Sequence, residues 1–135
     1  MPHLLDFNAS VVTPISGGVA IPVPLTPAKV TLASVIVTIP AVVPRFVQIN
    51  ATVGVSGDVG TGTYLYRINR GGTEIYYSLV GIESGYEKFE LNTLLAIDGN
   101  ATPGPQAYTL TIETVSPGLT ATVIGPIEIS ASVYG

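Results

Sequence analysis

Apolar and polar residues alternate with a period of two along most of the chain. The clearest example is RFVQINATVGV, in which Val47, Ile49, Ala51, Val53 and Val55 alternate with Phe46, Gln48, Asn50, Thr52 and Gly54. Similar runs follow at intervals of about ten residues and are separated by Gly and Pro: KVTLASVIVTI, TYLYRIN, TEIYYSLV, YEKFELNTLLAI, AYTLTIETV, LTATVI and IEISASVY. This alternation predicts a series of half-buried β-strands.

One run also fits a helix. YEKFELNTLLAI has a helical spacing at Leu91, Leu94 and Leu95, but Phe89, Leu91, Leu95 and Ile97 fit a strand equally well. Because its neighbours are all predicted strands, we expect a strand here too. Eight or nine strands without a helix predict an all-β fold, an antiparallel β-sandwich of the jelly-roll type. With 135 residues the chain has room for one such domain.

The N-terminal segment has the same alternation but is set apart from the other strands. In LDFNASV, Leu5, Phe7, Ala9 and Val11 lie on one face and Asp6, Asn8 and Ser10 on the other, and Pro14 with Gly17 and Gly18 then end the run. We therefore predict an extended N-terminal arm at 1–16 and the jelly roll at 17–135. The residues expected to contact another subunit are Leu4, Leu5, Phe7, Ala9, Val11 and Val12.

The strand after Gly17 and Gly18 is predicted to lie at a sheet edge. In GGVAIPVP, Pro22 and Pro24 are two residues apart, so the N–H groups that they lack would have pointed to the same side of the strand.

Charge is scarce. Five Lys and Arg and nine Asp and Glu make up 10% of the residues, against about 25% in an average globular domain. A surface of this kind suits burial against other copies of the chain. The scattered basic residues and the acidic net charge of −4 argue against nucleic acid as a partner. No apolar run approaches the ~18 residues of a membrane span, and the opening does not resemble a Sec signal peptide, so we expect neither membrane insertion nor Sec export.

Candidate chemistry is weak. His3 is the single histidine and lies near the terminus, there is no Cys, and no G-x-S-x-G turn accompanies a possible triad. DGN at 98–100 resembles part of a calcium loop but lacks its further spaced oxygens, which favours a turn. Three N-x-S/T triplets begin at Asn8, Asn50 and Asn100, and chance explains them in a chain rich in Ser and Thr. We expect no catalytic residue, no cofactor, no metal and no enzyme activity.

Four tyrosines cluster on a predicted hairpin around Gly71 and Gly72: Tyr64, Tyr66, Tyr76 and Tyr77. Tyrosines on an exposed sheet stack on sugars or contribute to oligomer interfaces. We favour an interface between subunits and keep sugar binding as the alternative.

The segments TYLYRINRGGTEI, DGNATPGPQAYTLTIET and IEISASVY resemble the tumour necrosis factor-like jelly rolls. These include the complement globular heads and the trimeric heads of collagen-like exosporium glycoproteins. The resemblance implies a homotrimer. An N-terminal arm on such a head is similar to the subunits of bacterial endospore appendages, although those subunits contain cysteine.

The sequence therefore predicts a structural, self-assembling subunit of a non-covalent extracellular fibre on the spore surface, or exosporium. Trimers would be linked head to tail because each arm donates a strand to the neighbouring subunit. The expected partner is the chain itself, with a spore-surface anchor or a tip protein as possible others. The alternative hypothesis is a trimeric head at a fibre tip, on a spore or a phage tail, that binds a sugar or a receptor.

Overall fold

A computed structural model describes residues 3–86 and 88–135. The described residues form nine β-strands, which alternate in burial as the sequence pattern predicts. Their bounds are β1 Leu4–Thr13, β2 Ile21–Pro22, β3 Val30–Ile39, β4 Phe46–Val59, β5 Thr61–Arg70, β6 Thr73–Glu83, β7 Phe89–Asp98, β8 Gly104–Thr114 and β9 Thr120–Tyr134. Within this part of the chain there is no helix that is long and apolar enough to cross a bilayer.

The strands form two antiparallel sheets that pack face to face. The first has the order β1-β9-β4-β7, with β2 also paired to β9, and the second has the order β3-β8-β5-β6. Successive strands along the chain repeatedly lie in different sheets, as in a jelly roll. The predicted fold class is therefore confirmed.

The core lies between the two sheets and is filled by the inward rows of the alternating strands. Because side chains on a strand point to opposite faces in turn, each long strand supplies every second residue to this layer. The largest side chains that are fully buried there are Tyr64, Tyr66, Tyr108, Ile39, Ile49, Ile68, Leu110, Ile112, Ile127 and Ile129.

Two predicted strands form a single one. LTATVI and IEISASVY were expected as separate elements, but both belong to β9. The chain continues through Gly125, which has φ 92°, and the cis peptide bond to Pro126. Opposite this point the pairing of β4 with β9 shifts between Val53 and Val55, which marks a bulge. Gly and Pro therefore mark an irregularity inside a strand here and not a loop.

The structure does not show the predicted extended arm in the described part of 1–16. β1 pairs with β9 over the length of the strand, from Leu4 opposite Tyr134 to Thr13 opposite Ile127. It is an edge strand of the first sheet and belongs to the sandwich. β2 follows the turn at Gly17 and Gly18 and pairs with β9 at Val123 and Thr122. It therefore continues the sheet edge where β1 ends.

Candidate functional site

The outer face of the first sheet has apolar side chains along both edge strands and polar side chains in its centre. We call this surface the assembly face. Residues directly opposite one another across the strands give its rows: Phe7, Ser132, Gln48 and Ile97; Ala9, Ser130, Asn50 and Leu95; Val11, Glu128, Thr52 and Thr93. The order within the first two rows is apolar, polar, polar, apolar. This order of apolar and polar residues is unchanged when the face is rotated by 180° about an axis perpendicular to the sheet.

The apolar margins are exposed. The β1 stripe consists of Leu4, Phe7, Ala9 and Val11, and the β7 stripe consists of Phe89, Leu91, Leu95 and Ile97. The seven large side chains among them are 55–68% exposed. At about 150–250 Å² for a side chain of this size, each stripe exposes on the order of 400 Å². A typical monomer has one such patch of about 300–600 Å², and this sheet has two.

The apolar face of β1 in the structure is close to the one predicted from the sequence. Phe7, Ala9 and Val11 lie on one face, but the pairing shifts at Leu5, so that Leu4 lies opposite Tyr134 in the outer row. A second shift falls at Val12. At this end of the face the rings of Phe46 and Tyr134 stack with centroids 5.2 Å apart.

The opposite, polar face of β1 closes one side of the sandwich. The Asp6 carboxylate accepts a hydrogen bond of 2.7 Å from the backbone N–H of Thr38, and the Asn8 amide donates one of 2.9 Å to the carbonyl of Ile36. Thr38 and Ile36 belong to β3, the edge strand of the second sheet. Two side chains of β1 therefore satisfy backbone groups that the edge of β3 would otherwise expose.

A groove crosses the assembly face near one end of the sheet. It has a volume of about 590 Å³ and is lined by Pro14, Ser16, Gly54, Val55, Phe89, Glu90, Leu91, Ile124, Gly125 and Pro126. It lies at the bulge of β4 and β9, where the absence of a side chain on Gly54 is required. A Cβ on Gly54 would lie 2.0 Å from the carbonyl oxygen of Gly125. The exposed side chains of Phe89 and Leu91 form part of the wall of this groove.

The prediction of an interface built from four tyrosines is wrong for Tyr64 and Tyr66. Both are fully buried between the sheets. Their hydroxyls donate to the side-chain oxygen of Asn92 at 2.6 and 2.7 Å, and Tyr64 also donates to Glu90 at 3.1 Å. Burial, reinforced by the charge of Glu90, raises the pKa of both phenols.

The other two tyrosines lie on the neighbouring strand β6. Tyr76 packs partly buried against the core, while Tyr77 is 64% exposed on the outer face of the second sheet. There Tyr77 borders a shallow groove of about 310 Å³ together with Leu79 and Arg67. Arg67 is held by ion pairs with Glu74 and with Glu113, the latter at 2.6 Å. The tyrosines therefore divide between the core and this face.

The DGN segment is a turn whose acidic side chain is already bonded. Asp98 is buried, and its carboxylate accepts hydrogen bonds from Arg70, from the Tyr108 hydroxyl at 2.7 Å and from the Asn100 backbone N–H at 3.1 Å. Burial by itself would raise the pKa of Asp98, but the bonds from Arg70 and Tyr108 outweigh it and hold the pKa below its usual value. The carboxylate therefore accepts three hydrogen bonds from within the protein, which fix it in the turn.

The remaining polar side chains form no recognisable reaction centre. His3 is exposed and its backbone pairs with that of Gly135. Among residues 3–86 and 88–135, no three His, Cys, Asp or Glu side chains converge as they would around a metal ion.

Comparison with known proteins shows the fold. No protein-family model matches the sequence, and no curated protein is similar to it in sequence. The structure of the infectious bursal disease virus Gt strain superposes with a TM-score of 0.54 and 14% identity, covering 98% of this chain and 37% of that chain. The crystal structure of the T13 IBDV viral particle gives 0.52 and 14%, covering 98% and 35%.

A third similar structure is a carbohydrate-binding module, TmCBM61, in complex with β-1,4-galactotriose. Its TM-score is 0.42 at 14% identity, with 91% of this chain and 86% of that chain covered. This chain spans little more than a third of the two viral chains. The two viral matches show that it has a jelly-roll β-sandwich fold.

Proposed function

We propose that this protein is a structural subunit that assembles with copies of itself through the assembly face. The observation that carries the proposal is the pair of exposed apolar stripes on one sheet of a chain in which only 10% of the residues are charged. Burial of apolar surface is the main driving force of association, and few charges oppose it here.

The N-terminal strand supports a link between subunits. β1 pairs with β9 and is followed by a turn at Gly17 and Gly18, where the Gly17 N–H donates to the Ile124 carbonyl at 2.9 Å. If β1 of one subunit replaced β1 of its neighbour, it would make the same backbone pairing with β9 and the same bonds to β3. Exchange of an identical element is an inexpensive route to linked subunits. We propose that fibre growth uses this exchange or the exposed β1 stripe.

The finer parts of the proposal come from the sequence resemblance. They are a homotrimer, a non-covalent fibre on the exosporium or another extracellular spore surface, and an anchor or tip protein as a further partner. The capsid-like fold is compatible with them because it is found in a viral particle.

The test is negative-stain electron microscopy of the purified full chain and of Phe7→Asp. Phe7 is 56% exposed, so we expect the variant to fold with a stability within about 0.5 kcal/mol of the parent, as measured by circular dichroism. We expect the parent to form filaments and the variant to form none, because each contact would bury an unpaired carboxylate.

Leu79→Asp is the matched control. Leu79 is 60% exposed but lies on β6 in the second sheet, away from β1 and the assembly face, so this variant should still form filaments. Filaments from Phe7→Asp that match those of the parent would show that the β1 stripe is not a contact.

A binding head is the second candidate. The groove of about 590 Å³ beside the exposed ring of Phe89 is the observation that favours it, because sugars stack on exposed aromatic rings. Discrete particles in the microscope, together with binding to a glycan array that Phe89→Ala abolishes, would favour this function over the structural one.

A further inference from the structure

The free edge of β7 is the longest edge that pairs without a register shift among the described strands. The sheet edges there are β1 with β2, β7, β3 and β6. β1 has two register shifts, and β3 has one and is covered by Asp6 and Asn8. β6 has a shift beside Ile75. β7 pairs with β4 through ten consecutive residues without a shift, and it contains no Pro, Gly or Lys. Such edges are templates for a further strand.

The backbone groups available on this edge can be identified. The Gly57 N–H donates to the Lys88 carbonyl at 2.7 Å, one step beyond the pair Ser56 and Phe89. Hydrogen-bonded pairs alternate in an antiparallel ladder, so the even-numbered residues of β7 bond to β4. The odd-numbered residues, 89 to 97, therefore direct their N–H and C=O groups outward.

The same odd-numbered residues carry the β7 stripe, and their apolar and polar positions are symmetric about Thr93. Outward from Thr93 in both directions the row reads Leu91 and Phe89 on one side and Leu95 and Ile97 on the other. In an antiparallel pair centred on Thr93, Leu91 would lie opposite Leu95 of the second copy and Phe89 opposite Ile97. Thr93 would lie opposite itself, and Thr–Thr and large apolar pairs both stabilise a sheet.

We propose that β7 pairs antiparallel with β7 of a second copy about a twofold axis at Thr93, so that the first sheet continues across two subunits. The pairing would add about ten backbone hydrogen bonds, the number found in a typical stable interface. The eight apolar side chains of the two β7 stripes would pack side by side across the new strand pair, while their outer surfaces remain on the assembly face.

The charges agree with this register. No charged side chain belongs to the β7 stripe. On the inner row Glu90 would lie opposite Ala96, so like charges do not meet. The proposed contact deepens the proposed function and rests on it only for its biological use, because a twofold pair forms whether or not filaments grow.

The test is disulfide formation between single cysteines, since the chain has none of its own. A hydrogen-bonded antiparallel pair holds its Cα atoms about 5.5 Å apart, which suits a disulfide. Under mild oxidation we expect Thr93→Cys to form covalent dimers about tenfold faster than Leu91→Cys or Leu95→Cys alone, because paired thiols have a high effective concentration. A mixture of Leu91→Cys and Leu95→Cys should cross-link as heterodimers.

Light scattering of Thr93→Pro gives a second readout. The Thr93 N–H points away from β4, so proline should leave the fold intact while the dimer dissociates at least about tenfold more readily. Equal cross-linking of Thr93→Cys and Leu95→Cys, or a mixture that reacts no faster than its components, would overturn the proposed pairing. Filaments that persist in Thr93→Pro would overturn it as a filament contact while leaving the proposed function standing.

Discussion

The buried ion pair between Arg70 and Asp98 links the two sheets, and its removal has a pH dependence that can be worked out. Asp98 ends β7 in the first sheet, while Arg70 ends β5 in the second. The Asp98 side chain is 3% exposed and that of Arg70 is 16% exposed. Arg70→Met leaves a buried carboxylate without its cation. Loss of one partner of a buried pair costs about 3–5 kcal/mol, and the partial exposure of Arg70 favours the lower end.

At pH 7 we therefore expect Arg70→Met to lower the free energy of unfolding by about 3 kcal/mol and the melting temperature by about 10 °C. In the native chain the pKa of Asp98 is lowered, so its contribution is present above the unfolded value of about 3.9 and is lost as the pH falls through the folded pKa. In the variant, burial is opposed only by the bonds from Tyr108 and Asn100, so the pKa of Asp98 should be higher than in the native chain. Protonation then relieves the buried charge, so the difference between the two proteins should shrink as the pH falls from 7 to about 4.

The assay is urea unfolding followed by circular dichroism at several pH values between 7 and 3. Arg45→Met is the control, because Arg45 donates to the backbone carbonyls of Val42 and Ala101 and to no carboxylate. Its cost should be about 1 kcal/mol and independent of pH. A penalty for Arg70→Met that stays constant from pH 7 to pH 4 would refute the assignment of a buried, charged Asp98.

Two further predictions concern the first sheet. Deletion of residues 1–16 should yield aggregates in sedimentation experiments and not a folded 17–135 domain, because it uncovers β9 and the bonds to β3; a soluble folded product would contradict the pairing. Gly54→Ala should cost about 3 kcal/mol in urea unfolding, because its Cβ would meet the carbonyl of Gly125, while Gly81→Ala, with open space around it, should fold normally. Equal stability of the two variants would argue against the close approach at Gly54.

The sequence pattern predicted the strands because period-two alternation depends on local geometry alone. It located β3 to β8 to within a few residues, and it assigned β7 as a strand although a helical spacing was present. It failed at β9, because a Gly–Pro pair that ends most strands is accommodated here by a bulge opposite Gly54. Local pattern contains no information about the strand that lies across the sheet.

The same limit explains the errors at the candidate site. Alternation showed that Phe7 and Asp6 lie on opposite faces, but it did not show that β9 of the same chain would accept β1. The burial of Tyr64 and Tyr66 was recoverable, since both alternate with Arg67 in TYLYRIN and share a face with Ile68.

The symmetry of the two proposed contacts determines what they can build together. A twofold pairing at β7 uses the same edge on both copies and closes as a dimer, so it cannot form a filament alone. β1 lies at the opposite edge of the same sheet, about three strand spacings or ~15 Å away, and supplies a second, different contact. Alternation of the two contacts gives an unbounded filament that grows across the strands. Blocking one contact should then leave dimers joined by the other. When Phe7 is replaced by Asp, the remaining dimers should still cross-link through Thr93→Cys. When Thr93 is replaced by Pro, the remaining dimers should be joined through β1.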